Sequence, residues 1–514
     1  MSYLSLLLVY SLFLAGCSDT PPPSEQSKRT DSEGIHSVIN PEQNGCKRCH
    51  TPHQDTAHGF SCSTCHAGND TSNDQKNGHA GLVAQPAHPA LMAQTCGRCH
   101  PDQVAGVAQS IHFTLAKEVN QVRKAFGAQE TLADLTQIPI ADAPATPLQL
   151  ADDLLRRRCL RCHPYSSGDH YPYVNHGTGC AACHLDFTNG APTSHTFLAT
   201  PGDKQCLQCH YGNWVGADYY GRFEHDFNAE YRTPYTTKEP FARPYGVEYH
   251  QLIPDIHQQR GLICVDCHNG AELMNNQKAG KQKRNAILCQ DCHLQKSLEK
   301  SLPPNVSQEQ GKYLLHSKGD NQRHEIPLMR DPAHTAFKDS ISCQACHAQW
   351  TFNDTGVHLL RNDTRENDAF WKLTTQGSWE VEHILTYNLN PDASTTLAPT
   401  MSDKINGEEK KGIWHQGYTI RRWETVQLGR DTNGRISVMR PVLDLHLSWL
   451  DEEHKVRFDA IQAQSANKGL EPYTPHTTGP AGIFYRQRLQ DFYRLEKTEK
   501  ERTKAELQGQ QQKN

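Results

Sequence analysis

The sequence is poor in apolar residues, in methionine and in net charge. Hydrophobic residues make up 36% of its 514 positions, whereas globular proteins usually have about 45–50%. Side chains alone would therefore build only a thin core. The chain contains 6 methionines, and its formal net charge is -5. A charge this small gives no electrostatic reason to expect nucleic acid as a partner, and we exclude DNA- and RNA-binding functions.

Long hydrophobic runs are also missing. The apolar stretch at residues 4–15 is too short to span a bilayer and has the length of a signal-peptide core. It runs into Leu14-Ala15-Gly16-Cys17, which resembles a bacterial lipoprotein box. Residues 1–16 are therefore predicted to be a signal peptide and Cys17 the lipidation site, although no lysine or arginine precedes the run. A buried apolar segment is the alternative. The polar, proline-rich residues 17–44 predict a disordered tether.

Cysteine and histidine, by contrast, are abundant, at 19 and 30 residues. Apart from Cys17, every cysteine belongs to one of nine Cys-x-x-Cys-His motifs. The motif cysteines are Cys46, Cys49, Cys62, Cys65, Cys96, Cys99, Cys159, Cys162, Cys180, Cys183, Cys206, Cys209, Cys264, Cys267, Cys289, Cys292, Cys343 and Cys346. The motif histidines are His50, His66, His100, His163, His184, His210, His268, His293 and His347.

This pattern is the attachment signature of c-type haem, in which two thiols bond to the porphyrin and the adjacent histidine is the proximal iron ligand. Zinc sites also pair Cys-x-x-Cys units but need no histidine after each pair, and a disulfide scaffold places no demand on the next residue. With histidine at 30 of 514 positions, nine coincidences have a chance on the order of 10⁻¹¹. We predict nine covalent haem c groups, whose apolar surface would replace the missing core side chains.

The motifs divide the chain into regions. Residues 45–350 are predicted to be a nine-haem electron-transfer body of short helices and loops around stacked haems. Residues 351–480 contain no cysteine and are rich in tryptophan, which predicts a haem-free C-terminal domain packed near the last motif. An Asn433-Gly434 turn there predicts a β-hairpin between residues 419–428 and 435–442. Residues 481–514 are predicted to form a final helix with a solvated, charged tail. The predicted fold class is mostly α and irregular, with some β-hairpin.

One longer helix is predicted after Pro101, where apolar residues recur at steps of three and four as far as Phe126 and place His112 on the apolar face. The run from Cys96 to His112 resembles the haem–helix–histidine unit of multihaem cytochromes c in the octahaem reductase and hydroxylamine oxidoreductase group. The resemblance covers about 17 residues. It implies that His112 is a distal haem ligand, often on a neighbouring haem; a histidine packed in the core is the alternative.

Other distal ligands are predicted from position. Seven motifs have a further histidine within eleven residues upstream of their first cysteine, and a short tether brings an imidazole to a haem at little cost in loop entropy. With His112, the predicted distal ligands are His36, His58, His88, His112, His176, His195, His257 and His334. The reserves are His53, His170, His225, His250, His316 and His358. The sequence does not say which iron each would bind, and for each a surface or hydrogen-bonding role is the alternative.

Because methionine is scarce, most irons are expected to be bis-histidine, six-coordinate and low in potential. Such haems transfer electrons, and their iron has no free coordination position for a substrate. We therefore predict an exported cytochrome that relays electrons in anaerobic or extracellular-type respiration. It would be a lipoprotein anchored to the outer membrane, in the periplasm or at the cell surface. Its expected partners are other redox proteins of the envelope: other cytochromes, a quinol-linked donor, and a porin or extracellular acceptor.

An enzyme is the alternative. A multihaem reductase of a small oxyanion, or of a nitrogen, sulfur or chalcogen compound, would need one open haem with acid/base groups nearby. Reductases of the resembling group often carry a Cys-x-x-Cys-Lys motif at the active haem, and this chain has none. The electron carrier is therefore the favoured interpretation.

Overall fold

The computed structural model describes residues 43–50, 52–171, 174–188, 191–224, 249–275, 287–366, 377–417, 420–422, 426–465, 468–481 and 485–511. The predicted signal peptide, Cys17, His36 and His225 lie outside these ranges. The chain divides into two units, one of residues 1–52 and 69–80 and the other of residues 53–68 and 81–514. Among the described residues, no helix combines the length and the apolar character needed to cross a bilayer.

Each motif contains a short helical turn. These turns are Cys46–Cys49, Cys62–His66, Cys96–Arg98, Cys159–Cys162, Ala181–His184, Asp203–His210, Cys264–Cys267, Cys289–His293 and Cys343–His347. Residues three apart on a helix lie on the same face. The turn therefore directs both thiols of a motif to one side of the chain.

The other helices lie between the motifs and after them. They are Gln75–Gly78, Pro101–Val107, Ile111–Thr114, Ala116–Ala125, Leu135–Gln137, Pro147–Arg157, Val215–Tyr219, Ile256–Gln259, Gly270–Leu273, Gln295–Lys300, Ala333–Ala336, Trp379–Asn388 and Tyr485–Gln511. The last of these confirms the predicted final helix, which continues through the charged tail.

The single helix predicted after Pro101 is wrong: the segment forms three helices, Pro101–Val107, Ile111–Thr114 and Ala116–Ala125. The chain leaves the helical conformation at Ser110, with ψ 162°, and at Leu115, which is left-handed with φ 42°. Val104, Val107 and Phe113, before the break at Leu115, pack into one cluster, and Val119, after it, packs into another. A straight helix could not serve both.

Strands are more extensive than the predicted hairpin, and the fold is a mixed α/β structure. A four-stranded sheet has the order Ile413–Gln416, Val357–Asn362, Leu445–Leu450, Val456–Gln462. Its two central strands are parallel and its outer strands antiparallel to them. The predicted helical part is present, but the strand content was underestimated because Val357–Asn362 pairs with Ile413–Gln416 and with Leu445–Leu450 across long sequence separations, which leave no local turn signal.

The remaining strands form small sheets. The two-stranded ones are Phe187–Thr188 with Ala191–Pro192, Arg222–Glu224 with Tyr249–Gln251, Asn353–Thr355 with Ile420–Arg422, and Thr400–Ser402 with Glu409–Lys411. The three-stranded ones are Val306–Glu309, Lys312–His316 and Arg323–Glu325, and Leu428–Arg430, Ile436–Pro441 and Leu470–Pro472. Leu428 pairs with Val438 across the turn, which confirms a hairpin at the Asn-Gly turn, but its first strand is Leu428–Arg430 and not residues 419–428, because Ile420–Arg422 pairs with Asn353–Thr355 instead.

The Pro147–Arg157 helix connects the region after residue 350 to the fourth motif. Thr146 caps it by accepting a hydrogen bond from the Gln149 N–H, and Pro147 occupies its first turn. Its residues Leu150 and Leu154 are fully buried in one cluster with Leu385, Met401, Trp414 and Leu447. The helix ends at the residue before Arg158, which is followed by Cys159.

Buried ion pairs hold this helix to its neighbours. Asp152 accepts a hydrogen bond of 2.7 Å from the Arg123 Nε, and Asp153 lies 3.0 Å from a guanidinium nitrogen of Arg157. Arg361, on the four-stranded sheet, approaches Asp153 at 3.4 Å. All five side chains are at most 8% exposed.

The region after residue 350 also packs at the last motif, as predicted. Ile341 and Ala345 share a cluster with Ile436 of the hairpin and Leu489 of the final helix. Nδ1 of His347 donates a hydrogen bond to the Gly479 carbonyl at 2.9 Å. This region therefore borders the chain at both the fourth and the ninth motif.

Candidate metal centres

Several motif histidines are oriented through their Nδ1 atoms. In each case Nδ1 donates a hydrogen bond to a backbone carbonyl. The pairs are His66 to Val83 (2.9 Å), His184 to Leu198 (2.6 Å), His293 to Pro327 (2.8 Å) and His347 to Gly479 (2.9 Å). A neutral imidazole that donates from Nδ1 keeps the lone pair of Nε2 for a metal, and such outer hydrogen bonds fix the orientation of metal-ligating histidines.

Seven of the nine motif histidines face a second histidine ring within the described residues. The pairs, with the distance between ring centres, are His50 and His79 (6.1 Å), His66 and His195 (6.2 Å), His100 and His58 (6.3 Å), His210 and His112 (6.1 Å), His268 and His476 (6.3 Å), His293 and His257 (6.1 Å), and His347 and His334 (6.1 Å).

This narrow range of distances has a chemical meaning. A metal–imidazole bond is about 2.0–2.1 Å long, and a ring nitrogen lies about 1.1 Å from the centre of its ring, so two imidazoles on opposite sides of one metal have centres about 6.2 Å apart. Packed aromatic rings meet at about 4.5–7 Å with variable spacing. Seven pairs between 6.1 and 6.3 Å therefore fit two axial ligands of one iron.

Five of the eight predicted distal histidines lie in these pairs: His58, His112, His195, His257 and His334. Only His334 faces the motif that follows it directly in the sequence. The others face motifs elsewhere in the chain. Closeness in the sequence therefore predicts which histidines can be ligands, but not which motif each one faces.

The other three predicted histidines lie elsewhere. His36 is outside the described residues. His88 meets the edge of the Tyr165 ring at 5.4 Å, and Nε2 of His176 lies 3.6 Å from the Cys209 sulfur. Neither is paired with a motif histidine ring in the described chain.

Two of the seven pairs contain a histidine that was not predicted as a ligand, His79 or His476. His79 follows its motif and therefore escaped a search upstream of each cysteine pair. His476 lies in the region without motifs, and no local signal marks it. Only the tertiary structure brings it to His268.

Carboxylates orient two of the distal histidines. Asp55 accepts from Nδ1 of His58 at 3.0 Å, and Asp255 accepts from Nδ1 of His257 at 2.8 Å. The backbone N–H of Phe197 holds the pKa of Asp55 down, to about 2, with His58 contributing. Burial acts to raise the pKa of Asp255, but hydrogen bonds from His257 and Thr478 lower it below its usual value. Both carboxylates are therefore ionised at neutral pH and fix the imidazoles.

Burial keeps two motif imidazoles neutral. It lowers the pKa of His163 to about 3 and that of His210 to about 4. A neutral imidazole is the form that binds a metal. These rings therefore need no deprotonation at neutral pH to act as ligands.

The thiols place the motifs beside one another. Thiol–thiol hydrogen bonds join Cys96 to Cys180, Cys162 to Cys209, Cys206 to Cys264, and Cys289 to Cys343. Cys65 interacts electrostatically with Cys96, Cys183 with Cys206, and Cys267 with Cys292. These interactions link the second, third, fifth, sixth, seventh, eighth and ninth motifs in a series, and Cys162 links the fourth to the sixth.

The described residues contain no group of three or more histidine, cysteine, aspartate or glutamate side chains that would hold a metal ion alone. A c-type haem iron takes only two protein ligands, since the porphyrin supplies the others. Facing pairs of histidines, each beside two thiols on one helical turn, are the donor set that this group requires. No family model, curated protein or solved structure matches the chain.

Proposed function

We propose that this protein is a nine-haem c-type cytochrome that relays electrons at the cell envelope. The observation that carries the proposal is the set of seven facing histidine pairs with ring centres 6.1–6.3 Å apart. Each pair contains a histidine that directly follows a Cys-x-x-Cys unit. Two imidazoles on one iron give low potentials and no position for substrate, which suits electron transfer.

The contacts between thiols support a relay order that differs from the sequence order. Electrons would pass from the second to the third motif, then through the fifth, sixth, seventh, eighth and ninth. The fourth motif joins at the sixth, through Cys162 and Cys209. We therefore propose that short helices and loops surround a stack of haems, and that the region after residue 350 covers this stack.

The envelope location rests on the sequence. Covalent haem attachment of this kind takes place outside the bacterial cytoplasm, and the box at Cys17 directs lipid anchoring. We propose a lipoprotein of the periplasm or cell surface at the outer membrane. Its partners would be other cytochromes, a quinol-linked donor, and a porin or extracellular acceptor.

Intact-protein mass spectrometry tests the haem count. The denatured protein should carry nine covalent haems on a lipidated chain that begins at Cys17. A double variant, Cys343→Ser with Cys346→Ser, should carry eight, because it loses one pair of thioether bonds. Seven or fewer haems on the wild type would contradict the nine-haem proposal, and an unprocessed N-terminus would contradict the lipoprotein proposal.

His112→Ala tests distal ligation. His112 lies 6.1 Å from His210 between ring centres, so its loss should convert one low-spin haem to high-spin and raise that haem's potential. EPR and resonance Raman spectra measure the change. His316→Ala is the control, because Nε2 of His316 is occupied by a 2.7 Å hydrogen bond with Ser307. An unchanged spin state in His112→Ala would return His112 to a packing role.

A further inference from the structure

Asp55 and Asp255 make the same set of hydrogen bonds at two places far apart in the sequence. In each case Oδ1 accepts from both the backbone N–H and the ring Nδ1 of a distal histidine. For Asp55 this histidine is His58, at 2.8 and 3.0 Å. For Asp255 it is His257, at 2.9 and 2.8 Å. The carboxylate thus fixes the ring of the ligand relative to its own backbone.

The second oxygen of each carboxylate holds a segment that carries a different distal ligand. Oδ2 of Asp55 accepts from the backbone N–H of Phe197 at 2.8 Å, two residues after His195. In the second arrangement the N–H of Thr478, two residues after His476, donates to Oδ2 at 2.6 Å. The donors lie 142 and 223 residues from their acceptors in the sequence, so both contacts are tertiary.

The ligands joined in this way belong to successive motifs. His195 faces the second motif and His58 the third. His476 faces the seventh motif and His257 the eighth. In both arrangements the carboxylate contacts the ring at the later motif and the backbone at the earlier one. Each carboxylate therefore links the distal sides of two successive centres.

A carboxylate in this position also acts on the iron. Hydrogen bonds to a charged acceptor are about twice as strong as neutral ones, and a carboxylate that accepts from a ligating imidazole makes that imidazole more basic. The side chains of Asp55 and Asp255 are only 18% and 3% exposed, so water screens their charge weakly. A more basic ligand with a negative charge behind it stabilises ferric over ferrous iron, which lowers the potential.

We infer that Asp55 and Asp255 are positioning residues of the electron relay, each of which fixes the distal ligands of two successive haems and lowers the potential of the later one. This inference rests on the proposed function and deepens it. The potentials of the third and eighth haems would be set in part by two carboxylates that lie outside the motifs.

Asp255→Asn tests the inference at the eighth haem. The amide keeps an oxygen for the His257 ring, but it has no charge, and its NH2 group replaces the acceptor of the Thr478 N–H. The redox equilibrium of one low-spin haem should shift about tenfold toward the reduced form, which for a one-electron couple raises the potential by about 59 mV. Potentiometric titration measures the shift, and EPR should show an unchanged number of low-spin irons.

Two further variants assign the shift to a haem. It should be absent when Asp255→Asn is combined with Cys289→Ser and Cys292→Ser, because this protein lacks the eighth haem. Asp55→Asn should raise the potential of the third haem in the same way, and it keeps the inference testable if Asp255→Asn folds poorly.

Asp444→Asn is the matched control. Asp444 makes both kinds of contact away from the motifs: it accepts from the His446 ring at 3.3 Å and from the Gly356 N–H at 2.5 Å. The ring beside His446 is that of His358, with centres 4.6 Å apart, which is too close for two ligands on opposite sides of one metal. This variant should leave every potential unchanged.

The inference is overturned if Asp55→Asn and Asp255→Asn keep all potentials, or if Asp444→Asn shifts a potential as much as they do. It is also overturned if the two variants lower the unfolding midpoint without raising the potential of any low-spin haem, which is the result expected of a purely structural role. None of these results alters the haem count by mass, so the proposed function would stand.

Discussion

Asp152→Ala is expected to lower the free energy of unfolding by about 3–5 kcal/mol, because it leaves the buried guanidinium of Arg123 without its main counter-charge. Both side chains are at most 2% exposed, and Arg123 donates from Nε to Asp152 at 2.7 Å. The pair joins the Ala116–Ala125 and Pro147–Arg157 helices. Thermal unfolding followed by circular dichroism should show a midpoint lower by about 3–5 °C.

The same arginine provides the control. Nη2 of Arg123 also donates to Glu130 at 2.6 Å, but Glu130 is 57% exposed. Water stabilises an exposed carboxylate almost as well as an ion pair does, so the exposed pair adds little to stability. Glu130→Ala should therefore shift the midpoint far less. Asp152→Asn keeps an oxygen acceptor but loses the charge, and should fall between the two. Equal midpoints for Asp152→Ala and Glu130→Ala would contradict a buried-charge origin of the effect.

The proximal half of each candidate centre was predictable, and the distal half was predictable only in part. A Cys-x-x-Cys-His unit forms one helical turn because the spacing itself places two thiols on one face. The facing histidine depends on tertiary packing. His58 precedes Cys62 closely but lies opposite His100, and His476 arrives from a region with no motif at all.

The fold shows the same division between local and long-range information. The Asn433-Gly434 turn predicted its hairpin because the turn residues are local to it. The parallel pairing of Val357–Asn362 with Leu445–Leu450 joins strands more than 80 residues apart, and nothing near either strand indicates it. The predicted helix after Pro101 failed for a related reason: its periodic apolar residues serve two clusters that only the folded chain separates.

The region after residue 350 is expected to do more than cover the haem body. His476 faces His268 with ring centres 6.3 Å apart, so this region would supply the distal ligand of the seventh haem. The neighbouring residues hold His476 in place: Thr477 donates its hydroxyl hydrogen bond to the Trp350 carbonyl at 2.5 Å, and the Thr478 N–H donates to Asp255 at 2.6 Å. Asp255 also orients His257, which faces His293 of the next motif.

His476→Ala should therefore convert one haem from low-spin to high-spin and raise its midpoint potential. Loss of an imidazole donor is expected to shift that potential by on the order of 0.1 V, a fraction of the roughly 0.8 V that axial ligands cover. Because the seventh motif lies inside the series, electron transfer between the sixth and eighth haems should slow as well. Potentiometric titration and stopped-flow oxidation measure the two effects.

His454→Ala is the control for this variant, because His454 belongs to the same region but its side chain is 51% exposed and lies near Glu366. It should leave every spin state and potential unchanged. A packing role for His476 would give a different result from ligation: His476→Ala would lower the unfolding midpoint while all haems stayed low-spin. Addition of free imidazole separates the two further, since it should restore the low-spin spectrum of His476→Ala only if the lost side chain was an iron ligand.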